Sequence, residues 1–223
     1  MRRVGLVGLL AAALLAHPLS PAAPPPTEIV RPVSKSLVVR AAPAGRVVAR
    51  VGRHTEYGSP LFYAVVARRG RWLGVVTPVV GNGQIGWVNR RYVRETRLLR
   101  ERIEVDLSRR SLVLIRDNRV VARFAVAIGG RGSPTPSGHF AVTDKLPGPR
   151  FGGVYGCCIL ALSGHQPHPP RGWTAGDYRL AIHGGDLRLI GAAVSAGCLH
   201  ARPWALHYLM AHVPLGTPVT IHP

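Results

Sequence analysis

The sequence has few cysteines and few acidic residues for its length. Its 223 residues include three Cys and ten Asp or Glu, against 29 Lys or Arg, so the formal net charge is +19. This composition excludes a disulfide-rich small scaffold, collagen and a long coiled coil. Hydrophobic residues make up 47% of the chain, which is too much for a disordered polycation. The charge therefore lies on a folded protein and suggests a polyanionic partner: nucleic acid, anionic lipid or an acidic cell-wall polymer.

The chain also lacks an apolar run long enough to span a membrane. Val4 to Leu15 is apolar apart from two glycines, and this run is shorter than the roughly 20 residues that a spanning helix needs. It follows Arg2 and Arg3 and precedes small residues, a pattern typical of a secretory signal. We therefore predict a signal peptide over residues 1–23, export to the periplasm or to the cell wall and extracellular space, and no stable membrane span after cleavage. An exported protein does not meet the chromosome, so nucleic acid is not the expected partner.

The next segments predict a linker and a small β domain. Residues 24–32 are rich in proline and lack periodicity, which favours an extended linker. Over residues 33–97, short β-branched runs alternate with Gly and Pro turns, as in a small barrel or sandwich. Two of these runs, Gly70–Val75 and Gln84–Val88, resemble strands of bacterial SH3-like domains. That resemblance implies a unit that binds wall peptides or acts as a spacer.

The C-terminal half predicts a second, mainly β domain. A charged stretch over 94–102 favours a linker or a short helix. A hairpin is expected around Asp117-Asn118, helical spacing over 203–212 predicts one short helix, and 215–221 predicts a final strand. Residues 144–178 carry many Gly and Pro residues and suggest a long irregular loop that acts as a lid or substrate wall. Its side chains that suit this role are Tyr155, His165, His168, Trp173 and Tyr178.

The three cysteines raise the question of a catalytic thiol. Adjacent cysteines such as Cys157 and Cys158 rarely bond to each other, and an odd cysteine in an exported protein is a cross-link or a free thiol. Cys198 follows the small residues Ser195, Ala196 and Gly197, while His183 closes a β-like run before two glycines. These residues suit a nucleophile and its base, but a buried packing thiol and an ordinary histidine at a strand end fit the same spacing.

Four ordered motifs make the C-terminal half resemble the YkuD-type L,D-transpeptidases, cysteine enzymes that remodel peptidoglycan. Two of the motifs are Ile182-His183-Gly184 and the cysteine element Ser195–His200, and the spacer between them carries the pair Ile190-Gly191. Two further matches are Gly132–Phe140, similar to the family's Thr-Pro-x-Gly-x-Phe segment, and Leu215–Val219, similar to its closing strand. Together they cover about residues 101–222 in the family's order. The expected fold is therefore mainly β: a small SH3-like barrel at 33–97, then a sandwich-like or barrel-like catalytic domain at 101–222 with one short C-terminal helix.

The resemblance implies a mechanism and assigns residues to it. Cys198 would be the nucleophile, His183 its general base, Gly184 the source of a backbone carbonyl that orients His183, and Gly197 a backbone N–H donor to the oxyanion. Cys198 would attack a peptidoglycan tetrapeptide stem, release D-Ala, and pass the acyl group to an amine of a neighbouring stem. The residues expected at the substrate are Ser195, His200, Tyr155 and Tyr178. No cofactor and no metal is expected, and the expected partners are peptidoglycan stem peptides and anionic cell-wall polymers.

Two departures from the family pattern keep alternatives open. The histidine that usually precedes the Gly-Cys pair is Ala196 here, and the usual Arg or Asn two residues after the cysteine is His200. The alternatives are a weakly active or non-catalytic module that binds peptidoglycan, and an L,D-carboxypeptidase in which water resolves the thioester. His165 and His168, near Cys157 or Cys158, form at most half of a metal site, since no third ligand is clear.

Overall fold

The computed structural model describes residues 24–172 and 178–223. The signal peptide predicted at 1–23 and the loop residue Trp173 lie outside the described residues. Two β units follow each other along the chain, an N-terminal unit of residues 27–99 and a C-terminal unit of residues 101–222.

The N-terminal unit is one seven-stranded sheet. Its strands are β1 (Thr27–Pro32), β2 (Leu37–Arg40), β3 (Val47–Val51), β4 (Tyr63–Arg69), β5 (Trp72–Val75), β6 (Gly86–Asn89) and β7 (Val93–Leu99), with a 3-10 turn at Arg90–Tyr92. Their order in the sheet is β3-β2-β6-β5-β4-β1-β7. The likeness to an SH3-like barrel stays a prediction.

Both predicted linkers contain strand. The proline-rich segment 24–32 includes β1, which pairs antiparallel with β4 and β7, and the charged stretch 94–102 lies in β7 and in the first strand of the next unit. Those two expectations are wrong because pairing to a distant strand supplies the backbone hydrogen bonds. The composition of a segment alone does not predict such pairing.

The C-terminal unit holds an eight-stranded sheet, a two-stranded sheet and one helix. Its elements are β8 (Glu101–Asp106), β9 (Ser111–Arg116), β10 (Arg119–Ala125), β11 (Ile128–Gly129), β12 (Gly138–Pro147), β13 (Cys158–His165), β14 (Arg179–His183), β15 (Ala193–Ser195), β16 (Leu199–His200), α1 (Pro203–His212) and β17 (Pro218–His222), with 3-10 turns at Gly148–Phe151, Gly153–Tyr155 and Leu187–Leu189. The large sheet runs β10-β9-β8-β17-β12-β13-β14-β16, and β11 pairs with β15. The mainly β fold with one short helix is confirmed.

Local sequence accounts well for the hairpin and the helix. Asp117 and Asn118 have φ angles of 49° and 62°, and these left-handed values suit a tight turn between β9 and β10. Helix α1 begins at Pro203, whose missing N–H costs nothing in a first turn. It buries Ala205, Leu206 and Leu209 against the sheet.

The segment 144–178 differs from the predicted irregular loop. Strand β12 continues to Pro147, and β13 occupies eight residues of the segment, seven of them buried. The sequence of a central strand that is covered on both faces is a continuous apolar run and lacks the alternation typical of strands with one exposed face. The many Gly and Pro residues around this run conceal it in the sequence.

A small apolar cluster joins the two units. Ile29, Ala64 and Leu99 of the N-terminal unit pack with Ala141 of β12. A side chain at Gly216, which has a φ of +87°, would come within 3.0 Å of Ile29. The strands of the N-terminal unit therefore lie close to the sheet that carries the motifs.

No helix within residues 24–172 and 178–223 has both the length and the apolar character needed to cross a membrane.

Candidate active site

The loop before Cys198 is held by its own side chains. Ser195 Oγ donates to the Cys198 carbonyl oxygen at 2.6 Å and accepts from the Gly197 amide at 3.1 Å. Gly197 has a φ of +112°, a conformation that favours glycine. Ser195 therefore shapes the loop, and its contact with substrate stays a prediction. The Gly197 amide is engaged with Ser195 in this structure, and its role as an oxyanion donor also stays a prediction.

Gln166 fixes this loop from outside. Its Nε2 lies within hydrogen-bond distance of three carbonyl oxygens, those of Ser133 at 3.1 Å, Pro134 at 3.0 Å and Ala196 at 3.1 Å. A Cβ at Gly197 would lie 1.9 Å from that nitrogen. The glycine of the motif therefore leaves room for the Gln166 amide as well as adopting its unusual φ.

Thr135 adds a second brace, since its Oγ1 donates to the Gly197 carbonyl oxygen at 2.9 Å and accepts from the Gly129 amide at 2.8 Å. Thr135 belongs to the motif Gly132–Phe140, so the sequence contains a signal that could have identified it. Gln166, a single glutamine between histidines and prolines, has no spacing that marks it.

Strand pairing brings His183 to the cysteine loop. Strand β14 pairs in parallel with β16, with Ile182 opposite Leu199 and His183 opposite His200. Because side chains alternate between the faces of a sheet, Cys198, two residues before His200, is directed to the same face as His183. The parallel pairing of β14 and β16 thus brings the end of the Cys198 loop beside His183.

The tautomer of His183 follows from its hydrogen bond. His183 Nδ1 lies 2.6 Å from the Gly184 carbonyl oxygen. A carbonyl only accepts, so Nδ1 carries the proton and Nε2 keeps a lone pair. Gly184 itself admits no side chain, because a Cβ would lie 2.8 Å from both the Gly156 Cα and the Tyr155 carbonyl oxygen.

Burial makes the resting pair neutral. It raises the pKa of the Cys198 thiol to about 11, because desolvation disfavours the thiolate. Burial, followed by the neighbouring His200, lowers the pKa of His183 to about 4. Burial also lowers the pKa of His200. Near pH 7 the thiol is therefore protonated and both imidazoles are uncharged.

Most of the predicted site residues line one cavity of about 670 Å³. The His183 ring packs 4.6 Å from the His200 ring and 4.8 Å from the Tyr155 ring, measured between centroids. The predicted residues that line this cavity are Cys198, His183, Ser195, His200, Tyr155 and Tyr178. An open cavity with a thiol, an imidazole and aromatic walls suits acyl transfer on a peptide.

Cys157 and Cys158 form a disulfide with each other, and Cys198 is free. Adjacent cysteines rarely bond to each other, and Cys157 and Cys158 are an exception. Their sulfur atoms and the His207 imidazole lie within 4.8 Å of one another, but sulfurs bonded to each other are not available as thiolate ligands.

His165 belongs instead to the contact between the units, where its Nε2 lies 2.7 Å from the Pro78 carbonyl oxygen. His168 is exposed. The structure therefore does not bring these two histidines to the cysteine pair.

The YkuD family model, which describes the L,D-transpeptidase catalytic domain, matches residues 100–221, more than half of the chain. The chain belongs to this family. A Bacillus licheniformis protein that carries the name L,D-transpeptidase YkuD is 34% identical to this chain over 123 residues. These residues are 55% of this chain and 66% of that protein. The chain therefore spans slightly less than two thirds of that relative.

Two solved L,D-transpeptidase structures are also similar to the chain. One, from Mycobacterium smegmatis, has 14% identity and a TM-score of 0.46, and the match covers 89% of this chain and all of that one. The other, the C442S mutant from Enterococcus faecium, has 19% identity and a TM-score of 0.44 over 72% of this chain and 74% of that one.

Proposed function

We propose that this protein is an exported L,D-transpeptidase that acylates Cys198 with a peptidoglycan tetrapeptide stem. One observation carries the proposal. Cys198 and His183 line the same cavity, and His183 Nδ1 is committed to the Gly184 carbonyl, which leaves Nε2 to take the thiol proton.

The first half-reaction releases D-Ala. As the Cys198 sulfur attacks the carbonyl of the diaminopimelyl residue, its proton passes to His183 Nε2. The C–N bond to D-Ala then breaks, His183 returns the proton to the leaving amine, and a thioester remains on Cys198. Because the resting thiol is neutral, the proton transfer accompanies the attack rather than preceding it.

The second half-reaction resolves the thioester. The side-chain amine of a neighbouring stem attacks the acyl carbon and gives its proton to His183, and the freed sulfur regains a proton. The product is a 3-3 cross-link between stems. Tyr155, Tyr178 and His200 border the space where the two peptides meet.

Hydrolysis is the second candidate, and Ala196 favours it. The small Ala196 side chain lines the cavity where the family usually has a histidine, so it leaves more space beside the thioester. If water takes the place of the amine, the same site is an L,D-carboxypeptidase.

Export and retention at the wall belong to the same proposal. The positively charged and then apolar N-terminus supports export. The net charge of +19, to which the predicted signal peptide contributes only Arg2 and Arg3, supports attraction to anionic cell-wall polymers. The stem peptides of peptidoglycan are the substrates, and the acidic polymers hold the enzyme beside them.

The test is the mass of the protein after incubation with a tetrapeptide stem or with a carbapenem. We expect an adduct on Cys198, no adduct on Cys198→Ala, and acylation slowed by about 100-fold or more in His183→Ala. His222→Ala, which removes an exposed histidine at the end of β17, is the matched control and should acylate normally. An unmodified wild-type protein would refute the proposal. Mass spectrometry of the released muropeptides then separates cross-linked dimers from trimmed tripeptides.

A further inference from the structure

We propose that the loop of residues 53–60 in the N-terminal unit forms a substrate-binding wall of the catalytic cavity. In this proposal Tyr57 contacts the bound stem peptide, and Glu56 is a positioning residue that acts through Arg179 on the strand leading to His183. The inference rests on the proposed function and adds a substrate contact from outside the catalytic domain.

The 53–60 loop is a closed and ordered turn. The Leu61 amide donates to the Arg53 carbonyl oxygen at 2.8 Å, and the Thr55 amide donates to the Ser59 carbonyl oxygen at 2.8 Å. Thr55 Oγ1 also accepts from the Ser59 amide at 3.1 Å. These bonds hold the tip of the loop, residues 56–58, in a defined position.

Tyr57, at that tip, lies in the active site. It lines the same cavity as Cys198 and His183. Like Tyr155 and Cys198, it also packs against the buried cluster of Leu146, Ile159 and Ala181. Its ring meets Phe151 edge-on at 5.9 Å between centroids. Phe151 in turn lies 6.5 Å from Tyr155. A continuous row of aromatic rings therefore joins the N-terminal loop to the ring beside the base.

Glu56 supplies the charge partner of a buried arginine. The Arg179 side chain is 4% exposed, and its Nε donates to the Leu162 carbonyl oxygen at 2.8 Å while Nη2 donates to Thr143 Oγ1 at 2.7 Å. Nη1 pairs with the Glu56 carboxylate. A buried guanidinium needs such a partner, and here it comes from the other unit.

The position of Arg179 links this pair to the chemistry. Arg179 is the first residue of β14 and His183 is the last. The carbonyl oxygen of Arg179 lies 3.9 Å from Cys198 Sγ. Displacing Arg179 would therefore move the strand that carries the base and the backbone that faces the thiol.

Further contacts fix the loop against the catalytic sheet. Thr55 Oγ1 donates to the fully buried Asp144. In another turn of the same unit, Asn82 exchanges two hydrogen bonds with the backbone of His165, at 2.7 and 2.9 Å. The 53–60 loop is thus anchored to β12 through Thr55 and to β14 through Glu56, as a binding wall requires.

The experiment compares substitutions in the loop by steady-state acylation with a tetrapeptide stem. For Tyr57→Ala we expect KM to rise about tenfold with little change in kcat, since it removes aromatic contact area, while Tyr57→Phe keeps the wild-type KM. For Glu56→Gln we expect kcat to fall about tenfold, with Glu56→Asp restoring part of it. Glu95→Gln, at an exposed carboxylate of the same unit, is the matched control and should change neither constant.

A second measurement separates this inference from the proposed function. Calorimetry measures the affinity of the tetrapeptide for Cys198→Ala and for Tyr57→Ala/Cys198→Ala. Neither variant can be acylated, so the difference reports the contribution of Tyr57 to binding alone. Weaker binding by the double variant supports the wall even if the wild type transfers no acyl group. Equal binding, or no binding to either protein, overturns it, as do wild-type kcat and KM in both Tyr57→Ala and Glu56→Gln. Glu56→Gln keeps the side-chain size at a half-exposed position, so it tests the proposal if Tyr57→Ala fails to fold.

Discussion

At the scale of single residues, burial in the cavity sets the protonation states of Cys198 and His183. The pKa of Cys198 is raised to about 11 and that of His183 is lowered to about 4, so the order required for a resting thiolate–imidazolium pair is reversed. The hydrogen bond from His183 Nδ1 to Gly184 still points Nε2 away from the backbone. This arrangement suits the proposed mechanism, in which His183 takes the thiol proton at the moment of attack.

This state predicts a pH dependence for alkylation of Cys198. The thiolate is the reactive form, and a raised pKa means that its fraction grows about tenfold per pH unit below about 11. We expect the rate with iodoacetamide to rise steadily from about pH 7 to pH 10, whereas a free cysteine with a pKa of about 8.5 levels off within that range. A plateau already present near pH 6 would show a resting ion pair and contradict the neutral pair.

At the scale of elements, Cys198 follows a short loop that is held by residues distant in sequence. Strands β14 and β16 place His183 and the cysteine loop side by side, while Gln166 and Thr135 fix the backbone at Ala196 and Gly197. Because the loop has little regular pairing of its own, these side chains define where the thiol lies.

Gln166→Ala tests this bracing. It removes an amide group whose two N–H donors serve three carbonyl oxygens, so we expect the free energy of unfolding to fall by about 2 kcal/mol. Acylation should slow by about tenfold or more because the thiol is misplaced. Gln84→Ala, at an exposed position of the N-terminal unit, is the control for both measurements. If Gln166→Ala acylates at the wild-type rate, the loop keeps its geometry without the brace.

The elements also show what local patterns predict. The hairpin at Asp117-Asn118 and helix α1 are confirmed because turn chemistry and helical spacing act over a few residues. The sequence does not predict strand β13, because its residues Cys158–Leu162 form an apolar run without alternation, and Gly-rich and Pro-rich segments lie on either side of it. The sequence predicts a linker in place of strand β1, because the strands that pair with β1 lie more than 30 residues away along the chain.

At the scale of the whole molecule, the two units share apolar, ionic and hydrogen-bonded contacts. The cluster of Ile29, Ala64, Leu99 and Ala141 joins the sheets away from the cavity, while Tyr57 and Glu56 join them at its edge. The N-terminal unit thus lies against the catalytic sheet as well as preceding it along the chain.

The net charge of +19 predicts salt-sensitive retention on the wall. We expect Cys198→Ala to bind purified walls that carry acidic polymers and to be released as NaCl rises from about 0.1 M to about 1 M, which shortens the screening length from about 10 Å to about 3 Å. Walls stripped of their acidic polymers are the control and should retain less protein. Binding that does not change with salt would exclude charge as its cause.

The sequence by itself determined the family, because four motifs recur in order and name Cys198, His183 and the glycines beside them. It also determined the mainly β class, the hairpin and the helix, all of which follow from spacing along short segments. Only the tertiary structure decided that Cys157 pairs with Cys158, that Gln166 braces the cysteine loop, and that Tyr57 reaches the cavity. Glu56 and Arg179 are 123 residues apart, and periodicity reports which face of a strand is buried but not which distant residue covers it.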